Sequence, residues 1–309
     1  MFNNRLRHCT LGQIREWSSL FDLHSHTNNS DGEHSPMDVA KLMHNAGVKF
    51  WSLTDHDTIE GWHDAHDAAH ELGLTFIPGI EITCDVGLPA DEEEMKRLGK
   101  ERASTSWHLL SYFPPSILLD KKRLEELNTW LGPLQTGRLP RMVSMIEKLS
   151  ELQIHIDLED VTRRAKGSLG RPHLAQAMVD AGYVESSREA FDKYIGDGGI
   201  AFVQREEPHL REAIEVVHRC GGIVSLAHPL YYGVSVPKLM EYLHDLGCDA
   251  IEVFHRSHDD AYRFELFSEA KKWDLGITVG SDFHGLGFGQ HPGKMVVPKD
   301  FMPQLFLNL

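Results

Sequence analysis

The sequence predicts an α/β protein built on a closed (β/α)7 barrel, on three observations. Short β-branched or aromatic runs alternate with amphipathic stretches, the pattern of a largely parallel sheet. Seven such runs are present: 20–23, 50–53, 76–82, 108–113, 222–227, 250–254 and 277–280. Each delivers an imidazole or carboxylate at or near its end: His24 with His26, Asp55 with His56, Glu81, His108, His228, Glu252 with His255, and Asp282 with His284. In a barrel the C-terminal rim carries the site, whereas an open sheet concentrates it at one switch point.

The steps between these polar ends fix the organisation. From His24 they are 31, 26, 27, 120, 24 and 30 residues. One β/α unit takes about 30 residues, so the long step holds roughly 90 extra. An inserted, mostly helical subdomain is expected over 114–206, between barrel halves 20–113 and 207–309, behind an N-terminal extension 1–19.

The elements follow in order. A helix is expected over 36–45, with Ser35 as cap and Pro36 in the first turn. Further barrel helices are expected over 61–72, 209–220, 237–246 and 259–273. In the insertion, helical patterns cover 121–130, 139–152, 158–166, 173–181 and 187–195. The acidic excursion 85–105 reads as a solvated loop.

Composition narrows the function. The chain has 309 residues, 41% hydrophobic and 25% charged, enough for a sizeable core. Net charge is −15, which excludes general electrostatic binding of nucleic acid and argues against double-stranded DNA as a partner. An anionic substrate therefore needs local cations. The count of 20 histidines, nine of them within the first 70 positions, suggests metal chemistry. Cys9, Cys84, Cys220 and Cys248 form no CxxC pair, as expected of reduced thiols in the cytoplasm. No signal-peptide pattern and no membrane-length apolar run is visible.

Nine residues are candidate metal ligands: His24, His26, Asp31, His56, Glu81, His108, His228, Asp282 and His284. In a strand, residues i and i+2 share a face, so His24 and His26 can grip one ion, and Asp282 with His284 repeats that spacing. Asp31, in an Asp-Gly turn, can swing a carboxylate to the same place. Glu81 stands in an apolar strand, where a carboxylate is costly unless paired or metal-bound. Asp55 is a candidate to orient an imidazole from behind. Asp57 and Thr58 read as caps for the following helix. Oxygen and nitrogen ligands without thiolates suit Mn²⁺, Zn²⁺ or Fe²⁺. Nine ligands are too many for one ion and suit two or three, the arrangement that clamps an in-line displacement at phosphorus.

The segments DLHSHTNNSDG, LTDHDT, GIE, the histidine of WHLL, LAHP and SDFH resemble, in order, the PHP (polymerase and histidinol phosphatase) superfamily across residues 22–284. That resemblance implies a distorted (β/α)7 barrel with a metal cluster. Within the insertion, Gly170-Arg171-Pro172-His173-Leu174-Ala175 and Ala190-Phe191-Asp192-Lys193-Tyr194-Ile195-Gly196 resemble the nucleoside 3′,5′-bisphosphate phosphatases, a subfamily that includes 5′→3′ exoribonucleases of the RNase AM type. The resemblance implies one metal position from His24, His26, Glu81 and Asp282. A second shares Glu81 and adds His108 and His228. A third uses Asp31, His56 and His284. Many relatives carry His where this chain has Asp31, but Asp is usual in the narrower subfamily.

The expected activity is that of a metal-dependent phosphoesterase with two to three divalent ions, Mn²⁺ first and Fe²⁺ or Zn²⁺ as alternatives. A metal-bound hydroxide would attack phosphorus, releasing the 3′-phosphate of a nucleoside 3′,5′-bisphosphate or trimming short 5′-phosphorylated RNA. Arg171 offers a planar fork for a phosphate, or is a surface residue at a helix start. His173 either shares that phosphate or is structural. His255 is expected to touch substrate, as phosphate ligand or as the acid for the leaving group. His258 faces either the pocket or solvent. The alternatives are a small-metabolite phosphatase of the histidinol-phosphate type and a noncatalytic metal-binding regulatory module. A polymerase-associated exonuclease is disfavoured, since no polymerase segment is visible. The trio His63, His66 and His70 reads as an exposed helix face, and Gly285–Gly289 as a flexible mouth loop.

Overall fold

The protein is described here by a computed structural model covering residues 11–13, 16–100, 103–165 and 168–299. The expected strands form one sheet: β1 (Phe21–Asp22), β2 (Phe50–Leu53), β3 (Thr75–Asp85), β4 (Ser106–Tyr112), β5 (Ile223–Leu226), β6 (Ala250–His255) and β7 (Gly276–Gly280). They lie side by side in chain order. The first and last strands approach each other, because the Leu23 N–H donates to Val279 O at 3.0 Å and Ser25 bridges to Phe283. The result is a nearly closed seven-stranded barrel. Trp17–Ser18 pairs separately with Val297–Pro298.

One strand departs from the parallel expectation. β4 runs antiparallel to both β3 and β5. Its N-terminal half therefore reaches the rim where the other strands end. His108 lies near the start of β4, opposite Thr83, and joins the site because the strand is reversed.

The helices follow the amphipathic pattern. In α1 (Pro36–Asn45) the Ser35 hydroxyl accepts the Asp38 N–H, and Val39, Ala40 and Met43 are buried. α2 (Trp62–Leu72) stops at Gly73, whose φ of 69° suits glycine. His63 and His70 on α2 are exposed, as expected of a solvent face. The acidic excursion is not a plain loop. It contains α3 (Glu92–Arg97), where Glu92, Glu93 and Glu94 occupy the positive end of the helix dipole and buried Glu94 binds Arg97.

The intervening segment contains α4 (Lys121–Thr136), α5 (Arg138–Glu151), α6 (Leu158–Arg164), α7 (Arg171–Asp180) and α8 (Ser187–Ala190), continued by a wide π-turn over Phe191–Ile195. α4 runs past the expected stop at Trp130 and through Pro133. Of the helix expected over 158–166, residue 166 lies outside the described residues, as do residues 1–10 of the N-terminal extension, including Cys9. Apolar side chains between Met142 and Ala201 form a cluster separate from the barrel core, whereas Leu127, Leu131 and Leu134 of α4 pack on the barrel. α9 (Leu210–Arg219), α10 (Val236–Asp245) and α11 (Asp260–Lys272) then alternate with β5, β6 and β7. No helix among the described residues is long and apolar enough to cross a membrane.

Candidate metal centre

The nine candidate ligands converge at one barrel mouth. Glu81 is the hub. Its Oε2 lies 3.2 Å from His24 Nε2, 3.1 Å from His26 Nε2 and 3.2 Å from His56 Nδ1. Its Oε1 lies 2.8 Å from His108 Nδ1 and 3.0 Å from His228 Nε2. Asp282 Oδ1 is 3.4 Å from His24 Nε2, 3.3 Å from His26 Nε2 and 3.4 Å from His284 Nδ1. Asp31 faces His56 Nε2 at 3.7 Å and His284 Nε2 at 3.4 Å.

Local backbone explains the convergence. Beyond β1 the chain folds into a tight turn in which the Gly32 N–H donates to Thr27 O. A side chain at Gly32 would press within 2.6 Å of the His26 carbonyl, so only glycine returns Asp31 toward the imidazoles. Asp282 and His228 hold positive φ values of 50° and 24°, uncommon for non-glycine residues and found where a site imposes them. In β6, alternation alone would put Glu252 and His255 on opposite faces. A bulge between Glu252 and Phe254 resets the phase, so both meet His24.

The donor set fits divalent cations. His24 Nε2, both ring nitrogens of His26, His56 Nδ1 and Glu81 Oε2 are buried without a hydrogen bond. One such atom costs about 1–3 kcal/mol. These atoms stand among the carboxylates of Glu81, Asp282 and Asp31, an arrangement that calls for cations, and nitrogen with oxygen donors suits the first-row divalent ions. Electrostatics without an ion tell the same story. Burial opposes charge on His26, but the Asp282 and Glu81 carboxylates overcome it and lift the imidazole to about 10. At His56 burial wins over Glu81 and Asp31, and the ring falls to about 3. Burial opposes ionisation of Glu81 too, yet the surrounding imidazoles hold it well below the usual carboxylate range.

Behind the ligands stand groups that fix them. Glu252 accepts from His24 Nδ1 at 3.0 Å and from the His228 N–H at 2.9 Å. It thereby sets the His24 tautomer and leaves Nε2 for the site. Asp55 does not orient an imidazole as expected. It accepts from the Thr27 N–H, the Thr27 hydroxyl and the Ser30 hydroxyl, holding the turn that carries Asp31. Asp57 is not a helix cap. It is fully buried at φ 56° and accepts from the Thr83 N–H, Arg138 and Arg205. Thr58 Oγ1 accepts the Glu60 N–H, while Gly61 occupies the cap position of α2.

On the substrate side the expectation for His255 changes, and His173 takes its structural alternative. His255 is fully buried and absent from the cavity wall. Its Nδ1 meets Ser257 Oγ at 2.7 Å and its Nε2 meets Asp282 Oδ2 at 3.4 Å, so it braces a ligand instead of facing substrate. His173 is also off the wall, and its Nδ1 accepts the Gly170 N–H at the start of α7. His258 is buried, with Nδ1 3.0 Å from Val253 O, and does not face solvent. Arg171 does line the cavity, but its guanidinium already binds Asp197 at 2.6 Å.

The cavity, about 1050 Å³, joins the ligand cluster to the helical segment. Asp31, His56, Glu81 and Asp282 of the cluster line it, as do Arg138, Arg141, Arg171, Arg188, Arg205 and Lys100. Sequence reading missed Glu252 as a brace, and Arg138, Arg141 and Arg205 altogether. Glu252 gave a signal, as a lone carboxylate in an apolar strand. The arginines belong to no spaced pattern and meet only through the fold.

Residues 22–219 match the PHP domain family. A 5′-3′ exoribonuclease of Haemophilus influenzae is 32% identical over 85% of this chain and 89% of its own. A 3′,5′-nucleoside bisphosphate phosphatase of Chromobacterium violaceum is 28% identical, over 87% of this chain and 88% of its own. Among solved structures, a protein of Bifidobacterium adolescentis described as a metal-dependent phosphoesterase superposes with a TM-score of 0.76 at 29% identity, covering 93% of this chain and 95% of that one. With the ligand cluster at the barrel mouth, these likenesses establish that the chain belongs to the PHP domain family and is a metal-dependent phosphoesterase.

Proposed function

We propose that the enzyme removes the 3′-phosphate of nucleoside 3′,5′-bisphosphates, leaving the 5′-monophosphate and phosphate, and trims short 5′-phosphorylated RNA from its 5′ end. The P–O3′ bond of the first nucleotide breaks in both reactions. The carrying observation is the continuous cavity between the ligand cluster and a second, arginine-rich wall. A substrate with one phosphate would leave that second wall without an anion. The names of the Haemophilus and Chromobacterium relatives support the same two substrate classes.

The proposed ligands are those of the cluster: His24, His26, Glu81 and Asp282 for one ion; Glu81, His108 and His228 for a second; Asp31, His56 and His284 for a third, with Mn²⁺ the proposed metal. Bound there, the ions would supply Lewis acidity and a water nucleophile active near neutral pH, and would offset phosphate charge. The chain's own groups do the rest. Glu252 orients His24, and His255 with Arg256 holds Asp282 Oδ2, leaving Oδ1 toward the imidazoles. Asp57 fixes Arg138 and Arg205 on the cavity wall. A cytoplasmic setting is supported by the free thiols of Cys84, Cys220 and Cys248.

The test compares kcat/KM for adenosine 3′,5′-bisphosphate, adenosine 3′-monophosphate and histidinol phosphate with the Mn²⁺-loaded enzyme. A preference of about 10-fold or more for the bisphosphate supports the reading, on the scale of charge-assisted bonds. Equal rates on the three, or preference for histidinol phosphate, would overturn it.

A further inference from the structure

The cations of the cavity wall are not equivalent. Arg138 and Arg205 share the buried carboxylate of Asp57, and Arg205 also lies 3.7 Å from Glu207. Arg171 binds Asp197. Arg188 faces Asp192 at 3.6 Å. Lys100 donates to Leu230 O at 2.7 Å and lies over the Tyr231 ring. Arg141 stands apart. Among the described residues no carboxylate lies within ion-pair distance of it. Among the described residues its hydrogen bond to protein runs from Nε to Val203 O at 2.8 Å. The guanidinium is 5.4 Å from the Phe202 ring centroid.

These contacts fix the fork while leaving both Nη groups for another acceptor. A half-buried guanidinium with no carboxylate in direct contact, and only the longer-range attraction of Glu207 and Asp197, gains when an anion reaches it. Burial, then repulsion from Arg171 and Arg205, lowers its pKa only to about 10, so it stays cationic at neutral pH. A planar fork held at Nε is suited to a bidentate bond with a tetrahedral oxyanion.

We infer that Arg141, and not Arg171, is the residue that binds the substrate's second, non-reacting phosphate and selects bisphosphates over monophosphates. Arg171 is neutralised by Asp197 and serves to shape the wall between Phe191 and Phe202. This inference deepens the proposed function and rests on it for the identity of the phosphate donor.

The experiment has two arms, using the wild-type chain with Arg141→Gln, Arg141→Lys and Arg171→Gln. In the first, calorimetry measures binding of inorganic phosphate to the metal-free protein. Arg141→Gln should weaken it about 10- to 100-fold, as expected for a charge-assisted bidentate contact. Arg141→Lys, which keeps the charge and stem but loses the fork, should fall between. In the second arm, Arg141→Gln should lower kcat/KM for adenosine 3′,5′-bisphosphate by a similar factor and leave adenosine 3′-monophosphate within about 3-fold. Arg171→Gln should change the two substrates together. Unchanged phosphate binding in Arg141→Gln, or equal loss on both substrates, overturns the assignment. Melting curves identify a variant that has merely unfolded, and Arg141→Lys then decides. A wild-type enzyme that ignores bisphosphates would overturn the proposed function instead, and the binding arm would still judge Arg141.

Discussion

Replacing Asp57 by Asn tests how the barrel holds the cavity wall. Asp57 has no solvent exposure and accepts from Arg138 at 2.5 Å, Arg205 at 3.1 Å and the Thr83 N–H at 2.9 Å. Asn keeps the size and tolerates the φ of 56°, so backbone strain is not introduced. It removes the charge that two guanidinium groups share, and these are only 11% and 5% exposed. Breaking such a buried pair from one side costs about 3–5 kcal/mol. With about 2.1 cal/mol/K of unfolding entropy per residue over 309 residues, about 0.65 kcal/mol/K in total, Tm should fall by about 5–8 °C. Acid should erase the difference. Burial raises the Asp57 pKa, but Arg205 and Arg138 overcome it and hold the carboxyl far below the usual range. A depressed carboxylate stabilises above its unfolded pKa of about 3.9, and that contribution disappears as pH falls through the folded value. Scanning calorimetry at pH 7 and at stepwise lower pH reads both effects. A fall of under 1 °C at pH 7, or a gap that persists undiminished in acid, would refute the reasoning.

Other outcomes follow from the same geometry. Gly280→Ala would place a methyl group 2.1 Å from His24 Cβ. It should cost at least about 1–3 kcal/mol by overpacking and lower bound metal measured by elemental analysis; a stable, fully loaded variant would contradict the packing. Glu81→Gln should lose at least one ion per chain, because Glu81 alone reaches five imidazoles; unchanged stoichiometry would count against its place as hub. His26 in the metal-free protein is lifted to about 10, burial being outweighed by Asp282 and Glu81. A raised histidine stabilises fully below about 6.5 and loses that contribution as pH climbs through the folded value, while metal binding must displace the proton. The Mn²⁺-induced rise in Tm should therefore grow from about pH 6.5 towards 10. A rise that shrinks over this window would contradict the assignment.

The cluster was legible because each strand ended in a group that is expensive to bury without a partner. His24, His26, Glu81 and Asp282 needed no knowledge of strand direction. The direction of β4 was not legible, since alternation is the same whichever way a strand runs, and His108 reached the site through that reversal. α3 was missed because an acidic run suits both a solvated loop and the positive end of a helix. Arg171 was visible in its motif, but its neutralisation by Asp197 depends on the turn at 196–199 reaching the wall. Arg141 and Arg205 lie 64 residues apart, and no local pattern ties them to one cavity. His255 was placed on the correct rim, but the depth of its side chain follows from the bulge in β6.

The most direct test of a metal-driven phosphoesterase at this barrel mouth is one reaction. Metal-stripped, Mn²⁺-reconstituted and Mn²⁺-treated His24→Ala protein are each incubated with adenosine 3′,5′-bisphosphate, and AMP and phosphate are quantified by chromatography. We expect equal amounts of AMP and phosphate from the reconstituted enzyme, and little or none from the other two. Full turnover by the stripped protein or by His24→Ala would contradict the central claim.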